Sequence, residues 1–94
     1  MPEEVMEIHV IVKGHVQGVG FRFYAERAAV KSGLTGWVKN LSNGDVETVA
    51  QGSKQSLDSY IDWLKQGPST ARVIDISIQW REITQFYNSF SLTY

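Results

Sequence analysis

The apolar residues of this 94-residue chain change spacing in a fixed order, and that order is the tightest constraint on its fold. Ile8, Val10 and Val12 alternate with polar neighbours over residues 7–13, the period of a half-buried strand. From Phe21 to Ser32 the spacing of Phe21, Ala25, Ala28 and Ala29 is helical, and Gly33 is placed to end that helix in a left-handed conformation. Trp37-Val38 begins a second strand, Ser42-Asn43-Gly44-Asp45 predicts a hairpin turn, and Val46 to Ala50 returns as a third strand. Gly52-Ser53 opens a second helix with Ser53 as its N-cap, and Leu57, Tyr60, Ile61 and Leu64 fall on one face of it. Gly67-Pro68 stops it. Ile74, Ile76, Ile78 and Trp80 alternate strictly as a long fourth strand, and Phe90, Leu92 and Tyr94 form the last one. The expected order is βαββαβ, an α+β fold: a ferredoxin-like sandwich whose antiparallel sheet carries two helices on one face. That architecture hosts many unrelated functions, so the activity must be read from a site.

Size and composition narrow the function classes. A chain of this length suits one domain, expected to span 1–94 with residues 1–6 as a short N-terminal extension. Its hydrophobic content of 43% is that of a globular protein. A formal charge of -1 offers no general attraction to nucleic acid or to an anionic membrane, so any anion binding must be local. There is no cysteine, which excludes disulfides, a thiolate nucleophile and cysteine-dependent phosphatase chemistry. No apolar run approaches the roughly 20 residues that a membrane span needs. Met1 to Glu7 is short and acidic, the opposite of a secretory signal, so a cytoplasmic protein is expected. Asn40-Leu41-Ser42 matches a glycosylation sequon, a coincidence in such a protein.

Between the first strand and the first helix lies Gly14-His15-Val16-Gln17-Gly18-Val19-Gly20-Phe21-Arg22. A chain turning there lines up consecutive backbone N–H groups at a helix N-terminus, where partial positive charge collects. Arg22 adds a permanent forked cation at the same spot. The pattern suits a phosphate-like dianion, held by Arg22 and by the N–H groups of His15, Val16, Gln17, Gly18, Val19, Gly20 and Phe21. A nucleotide-binding P-loop is excluded because the required Gly-Lys-Ser/Thr is missing. A dinucleotide fingerprint fails too, since Phe23 stands where its third glycine belongs. As an ordinary surface residue Arg22 would oppose the helix dipole, and an anion between the two resolves that conflict.

These residues, followed by Gly36-Trp37-Val38-Lys39-Asn40 and Gly44-Asp45-Val46-Glu47, resemble the acylphosphatase family. Gly52, Gly67-Pro68 and the closing Phe90-x-Leu92-x-Tyr94 fit the same pattern, so the resemblance runs from about Glu7 to Tyr94. It implies the ferredoxin-like fold and a metal-independent, cofactor-free hydrolysis of carboxyl-phosphate mixed anhydrides such as acetyl phosphate, carbamoyl phosphate or 1,3-bisphosphoglycerate. It further implies that Arg22 binds the phosphate and that Asn40 orients the attacking water. A carboxamide fits that task because it offers both donor and acceptor without charge. Many family members carry a basic residue just before the terminal tyrosine, where this chain has Thr93.

Other candidates read as structural. His9 lies mid-strand and His15 in the loop, and isolated histidines usually have structural or solvated roles. Asp58 and Asp62 share a helix face opposite Leu57 and Ile61, a solvated face rather than a metal pair. Strand alternation points Lys39 away from Asn40, and Trp37, Trp63 and Trp80 are expected to pack on the sheet or helices. The expected partners are the small acyl phosphate and inorganic phosphate, with no nucleic acid and no membrane, acting on a monomer. One rival is an RNA-binding module of the same element order, disfavoured because Asp45 to Ala50 is acidic and lacks aromatics for base stacking. The other is a non-catalytic module that binds or senses phosphorylated metabolites. Such a sensor needs the cradle but has no use for Asn40.

Overall fold

The computed structural model describes residues 4–94. Residues 1–3 of the expected extension lie outside the described residues, and Glu4 and Val5 precede the first strand. Seven elements follow: β1 (Met6–His15), α1 (Phe21–Lys31), β2 (Thr35–Asn40), β3 (Val46–Gly52), α2 (Lys54–Gln66), β4 (Arg72–Arg81) and β5 (Phe90–Leu92). One five-stranded sheet has the order β4-β1-β3-β2-β5. Its first four strands are antiparallel neighbours in the ferredoxin-like arrangement. β5 adds a short edge strand parallel to β2, so the chain runs βαββαββ and the sheet is mixed at that edge alone.

The helices share one face because the alternation along each strand delivers its apolar residues there. Ile8, Val10 and Val12 of β1, Val46 and Ala50 of β3, and Val38 of β2 are fully buried against Phe21, Ala25 and Ala29 of α1 and Leu57, Tyr60 and Leu64 of α2. Each large side chain removed from water in this way contributes about 1.5–3 kcal/mol. The helix boundaries follow from their caps. Ser53 accepts from the Ser56 N–H at the start of α2, and Gly33 takes a left-handed φ of 74° just after α1. Among the described residues no helix is long and apolar enough to cross a membrane.

The strict alternation expected of the fourth strand breaks at Ile74, which is 74% exposed. Lys13 pairs with Asp75 but Gly14 pairs with Val73, so Ile74 is the extra residue of a β-bulge. Val73 packs on the core in its place. The bulge also explains Gly14, because a Cβ there would lie 2.1 Å from the Arg72 carbonyl oxygen. The chain leaving β1 is thereby turned towards the helices. Tyr94 also departs from the expected strand, lying just past β5 and exposed.

The other sheet face is held by polar contacts. Gln51, buried in β3, donates to the Glu7 carboxylate (2.7 Å) and to the Gln85 carbonyl (2.6 Å) and accepts from the Tyr87 N–H (3.2 Å). Arg81 donates to the other oxygen of Glu7 (2.5 Å). The Trp37 indole N–H completes the seam by donating to the Tyr87 hydroxyl (3.2 Å). The 82–89 connection is thus tied across the sheet and delivers β5 to the edge of β2.

Within the core, the Thr48 hydroxyl donates to the Trp37 carbonyl (2.8 Å), which leaves its oxygen to accept from the Tyr60 hydroxyl (2.9 Å). Burial pushes the Tyr60 hydroxyl above the ordinary tyrosine range, and the bond to Thr48 offsets part of that rise. Its folded value thus exceeds the unfolded value near 10, so the stability it contributes is complete below about pH 10 and is lost as pH rises beyond. Tyr60→Phe is expected to cost about 1 kcal/mol at neutral pH and to flatten the alkaline loss of stability. Urea unfolding across pH measures both, and an unchanged alkaline slope in the variant contradicts the assignment.

Candidate active site

The chain leaves β1 at His15 and enters α1 at Phe21, and the loop between them is pinned at both ends. The Gln17 carboxamide donates to the Leu41 carbonyl (2.7 Å) and the Asp45 carbonyl (2.8 Å), tying the loop to the β2–β3 turn. The Thr70 hydroxyl donates to the Val19 carbonyl (2.8 Å), tying it to the α2–β4 connection. Phe21, buried and tilted against the Trp63 ring at 5.4 Å, fixes the first turn of α1 on α2. Gln17 and Thr70 thus hold the loop by their side chains, a role the sequence pattern did not reveal. A long carboxamide between two glycine-flanked turns was the one available hint.

Gly20 is the N-cap of α1, with φ 78° and ψ 15°, and no side chain caps the helix. No acidic residue occupies its first turn. Among the described residues, no backbone N–H from Val16 to Phe23 donates a hydrogen bond to the protein. An unbonded run of donors at the positive end of a helix has the electrostatics that favour an anion.

Arg22 leaves the first turn of α1 beside this run. One guanidinium nitrogen donates to the Thr93 carbonyl (2.8 Å), and the group lies 4.7 Å from the centre of the Tyr94 ring. No carboxylate among the described residues is within ion-pairing distance of it. The Thr93 N–H donates in turn to the Val38 carbonyl (2.8 Å), so the main chain of Thr93 orders Arg22 without help from a basic side chain at that position. Glu26 accepts from the Leu92 N–H (3.3 Å), adding a second tie between α1 and β5.

Asn40 closes β2 on the helix side of the sheet, two residues beyond buried Val38. Its Oδ1 is the one buried side-chain oxygen or nitrogen among the described residues without a hydrogen-bond partner. Leaving such an acceptor unpaired costs about 1–3 kcal/mol, so its persistence calls for a ligand. Asn40, Arg22, Val16, Gly18, Gly20 and Phe21 line a single cavity of about 170 Å³, which Phe23, Leu92 and Tyr94 complete. That is small against the roughly 300–1,000 Å³ of drug-sized ligand sites and matches a phosphoryl-sized group.

Not every expected loop residue reaches the cavity. His15 is paired with Arg72 in the sheet and exposed, while Gln17 and Val19 serve as anchors and do not line it. The residues read as structural stay apart from it. His9 bonds Glu47 at 2.6 Å on the far face, where Lys39 also approaches Glu47 at 3.6 Å. Asp58 pairs with Lys54 on the outer side of α2. Among the described residues no group of three or more His, Cys, Asp or Glu is placed to hold a metal.

Comparison with known proteins agrees with this geometry. The acylphosphatase family model matches residues 8–92. The acylphosphatase of Vibrio parahaemolyticus is 54% identical over 71% of this chain and 74% of its own length. That of Vibrio cholerae is 46% identical over 87% of this chain and 90% of its own length. The crystal structure of acylphosphatase from Bacillus subtilis superposes with a TM-score of 0.92 at 38% identity, covering 95% of this chain and 99% of that one.

The left-handed Gly20 supplies a test of the loop. A Cβ there would meet the Tyr24 ring at 3.4 Å and force a φ that costs other residues about 1–2 kcal/mol. Gly20→Ala is expected to lower stability by that amount in urea unfolding and to weaken competitive inhibition by inorganic phosphate. Unaltered phosphate inhibition contradicts the placement of the anion at this helix end.

Proposed function

Starting from a chain that belongs to the acylphosphatase family and hydrolyses acyl phosphates to a carboxylate and inorganic phosphate, we propose that the reaction occurs in the cavity between Arg22 and Asn40. The observation that carries this reading is the buried, unpartnered Oδ1 of Asn40, a residue that lines the same small cavity as Arg22 and the start of α1. Arg22 and the N–H groups of Val16, Gly18, Gly20 and Phe21 hold the phosphoryl oxygens. Asn40 Oδ1 accepts a hydrogen bond from a water and directs its oxygen at phosphorus.

The chemistry explains why so few groups suffice. Water forms a new P–O bond while the bond from phosphorus to the acyl oxygen breaks, and the electron pair leaves with the carboxylate. A carboxylate departs without protonation, so no general acid is required. The proton released by water passes to a phosphoryl oxygen. Fixed donors stabilise charge on the transferring group at no reorganisation cost, which is where most phosphoryl-transfer catalysis originates. The same reading places the enzyme in the cytoplasm as a single-domain monomer, with residues before the sheet as an extension and with neither nucleic acid nor membrane as partner. The reading without nucleic acid or membrane is supported by the formal charge of -1 and by the Asp45–Ala50 stretch, which is acidic and lacks aromatics.

The two side chains separate in kinetics. Arg22→Ala is expected to lower kcat/KM by about 10³-fold or more and to abolish inhibition by inorganic phosphate. Asn40→Ala is expected to lower kcat by about 10²–10³-fold while retaining phosphate inhibition near the wild-type value. Equal loss of turnover and phosphate affinity in Asn40→Ala would sink the water-positioning role. Phosphate binding at Arg22 without any turnover by the wild type would revive the sensor reading.

A further inference from the structure

The turn that anchors the phosphate loop is built on Asn43-Gly44, the asparagine dipeptide in which a neighbouring side chain hinders ring closure least. Asn43 is exposed, and nothing among the described residues lies within 4 Å of the place where a Cβ would sit on Gly44. An unhindered backbone nitrogen therefore follows the Asn43 carboxamide directly. The Asn43 Oδ1 accepts from the Asp45 N–H (3.0 Å), a donor that stabilises negative charge on that oxygen during attack at Cγ. We propose that Asn43 is a site of spontaneous deamidation, and that its conversion to isoaspartate loosens the phosphate loop and weakens phosphate binding as the protein ages.

The conversion consumes only water. The Gly44 nitrogen leaves the Leu41 carbonyl (3.2 Å), gives up its proton and bonds to Asn43 Cγ, while the carboxamide nitrogen departs as ammonia. Water then attacks the main-chain carbonyl carbon of the cyclic imide. The bond from that carbon to the Gly44 nitrogen breaks, its electron pair staying on the imide, whose nitrogen takes back a proton. The chain now runs through the former side chain, one methylene longer and with a new carboxylate. The effect on the site rests on phosphate lying at Arg22 and the loop amides. The Leu41 carbonyl accepts from both the Gly44 N–H and Gln17, and the Asp45 carbonyl accepts from both the Leu41 N–H (2.8 Å) and Gln17. A main chain lengthened between residues 41 and 45 separates the two carbonyls that the single Gln17 carboxamide bridges. Val16 and Gly18, which flank Gln17 and line the phosphate cavity, then lose their anchor. Asn88, also exposed, precedes Ser89 and so serves as an internal reference.

Wild type and Asn43→Ser, aged side by side in mildly alkaline buffer, test the site. Peptide mass spectrometry and labelling by an isoaspartyl methyltransferase follow each asparagine. Asn43 is expected to show the mass gain of an amide-to-acid exchange well before Asn88, and to become a methyl acceptor. Inhibition by inorganic phosphate is expected to weaken about tenfold in the converted protein, the size of one or two lost hydrogen bonds. It is expected to stay constant in aged Asn43→Ser, whose hydroxyl supports the turn. Fresh Asn43→Asp carries the new charge without the extra methylene and is expected to bind phosphate as unaged wild type does; a tenfold loss there contradicts the backbone argument. Conversion at Asn43 no faster than at Asn88 overturns the site, and full conversion with unaltered phosphate inhibition overturns its effect. Phosphate inhibition of Arg22→Ala is read in parallel. Its loss alongside unaltered inhibition on ageing means that the coupling through Gln17 alone fails, whereas its persistence means that phosphate lies elsewhere and the coupling falls with it.

Discussion

A run of backbone N–H groups with no acceptor among the described residues, at the uncapped start of α1, is the constraint on which the surrounding structure converges. Left to itself, such a glycine-rich turn would fray, because no hydrogen bond of its own fixes it. Four separate devices prevent this. The bulge opposite Gly14 redirects β1, Gln17 and Thr70 fasten the two ends of the loop, and Phe21 locks the first helical turn on Trp63. Arg22 is then steadied from the opposite side by the main chain that follows β5.

The site that results is electrostatically one-sided. Helix N-terminus, free amides and guanidinium are all positive, and no carboxylate among the described residues pairs with Arg22. In the proposed reaction a carboxylate in the place of Asn40 would repel the phosphoryl dianion, whereas a neutral amide would not and still has a lone pair for water. The far sheet face carries polar pairs such as His9–Glu47 and Lys13–Asp45, apart from the cavity. Its Gln51 network ties down the 82–89 connection, which positions β5 and with it the Thr93 carbonyl.

Local patterns made most of the fold legible. The N-cap Ser53, the Asn43-Gly44 turn, the apolar face of α2 and the helix stop at Gly33 are short-range signals, and each element sits where its signal placed it. What escaped depended on pairing across the sheet. The bulge that exposes Ile74 is set by the approach of Gly14 to Arg72, and the parallel edge strand is set by how the 82–89 connection crosses Gln51. Arg22 and Asn40 were visible as residues, but their convergence was not. That convergence depends on β2 ending beside the loop from β1, a relation carried by Gln17 across two turns. Likewise Tyr94 read as a strand residue because its position fits the alternation, whereas its ring lies over Arg22.

In the proposed reaction water attacks phosphorus from the Asn40 side, with cleavage between phosphorus and the acyl oxygen. Hydrolysis of benzoyl phosphate in water enriched in a heavy oxygen isotope tests that claim most directly. The label is expected in the inorganic phosphate and absent from the benzoate. Label in the benzoate would mean attack at the carbonyl carbon, and would contradict both the role of Asn40 and the purpose of the amide-lined cavity.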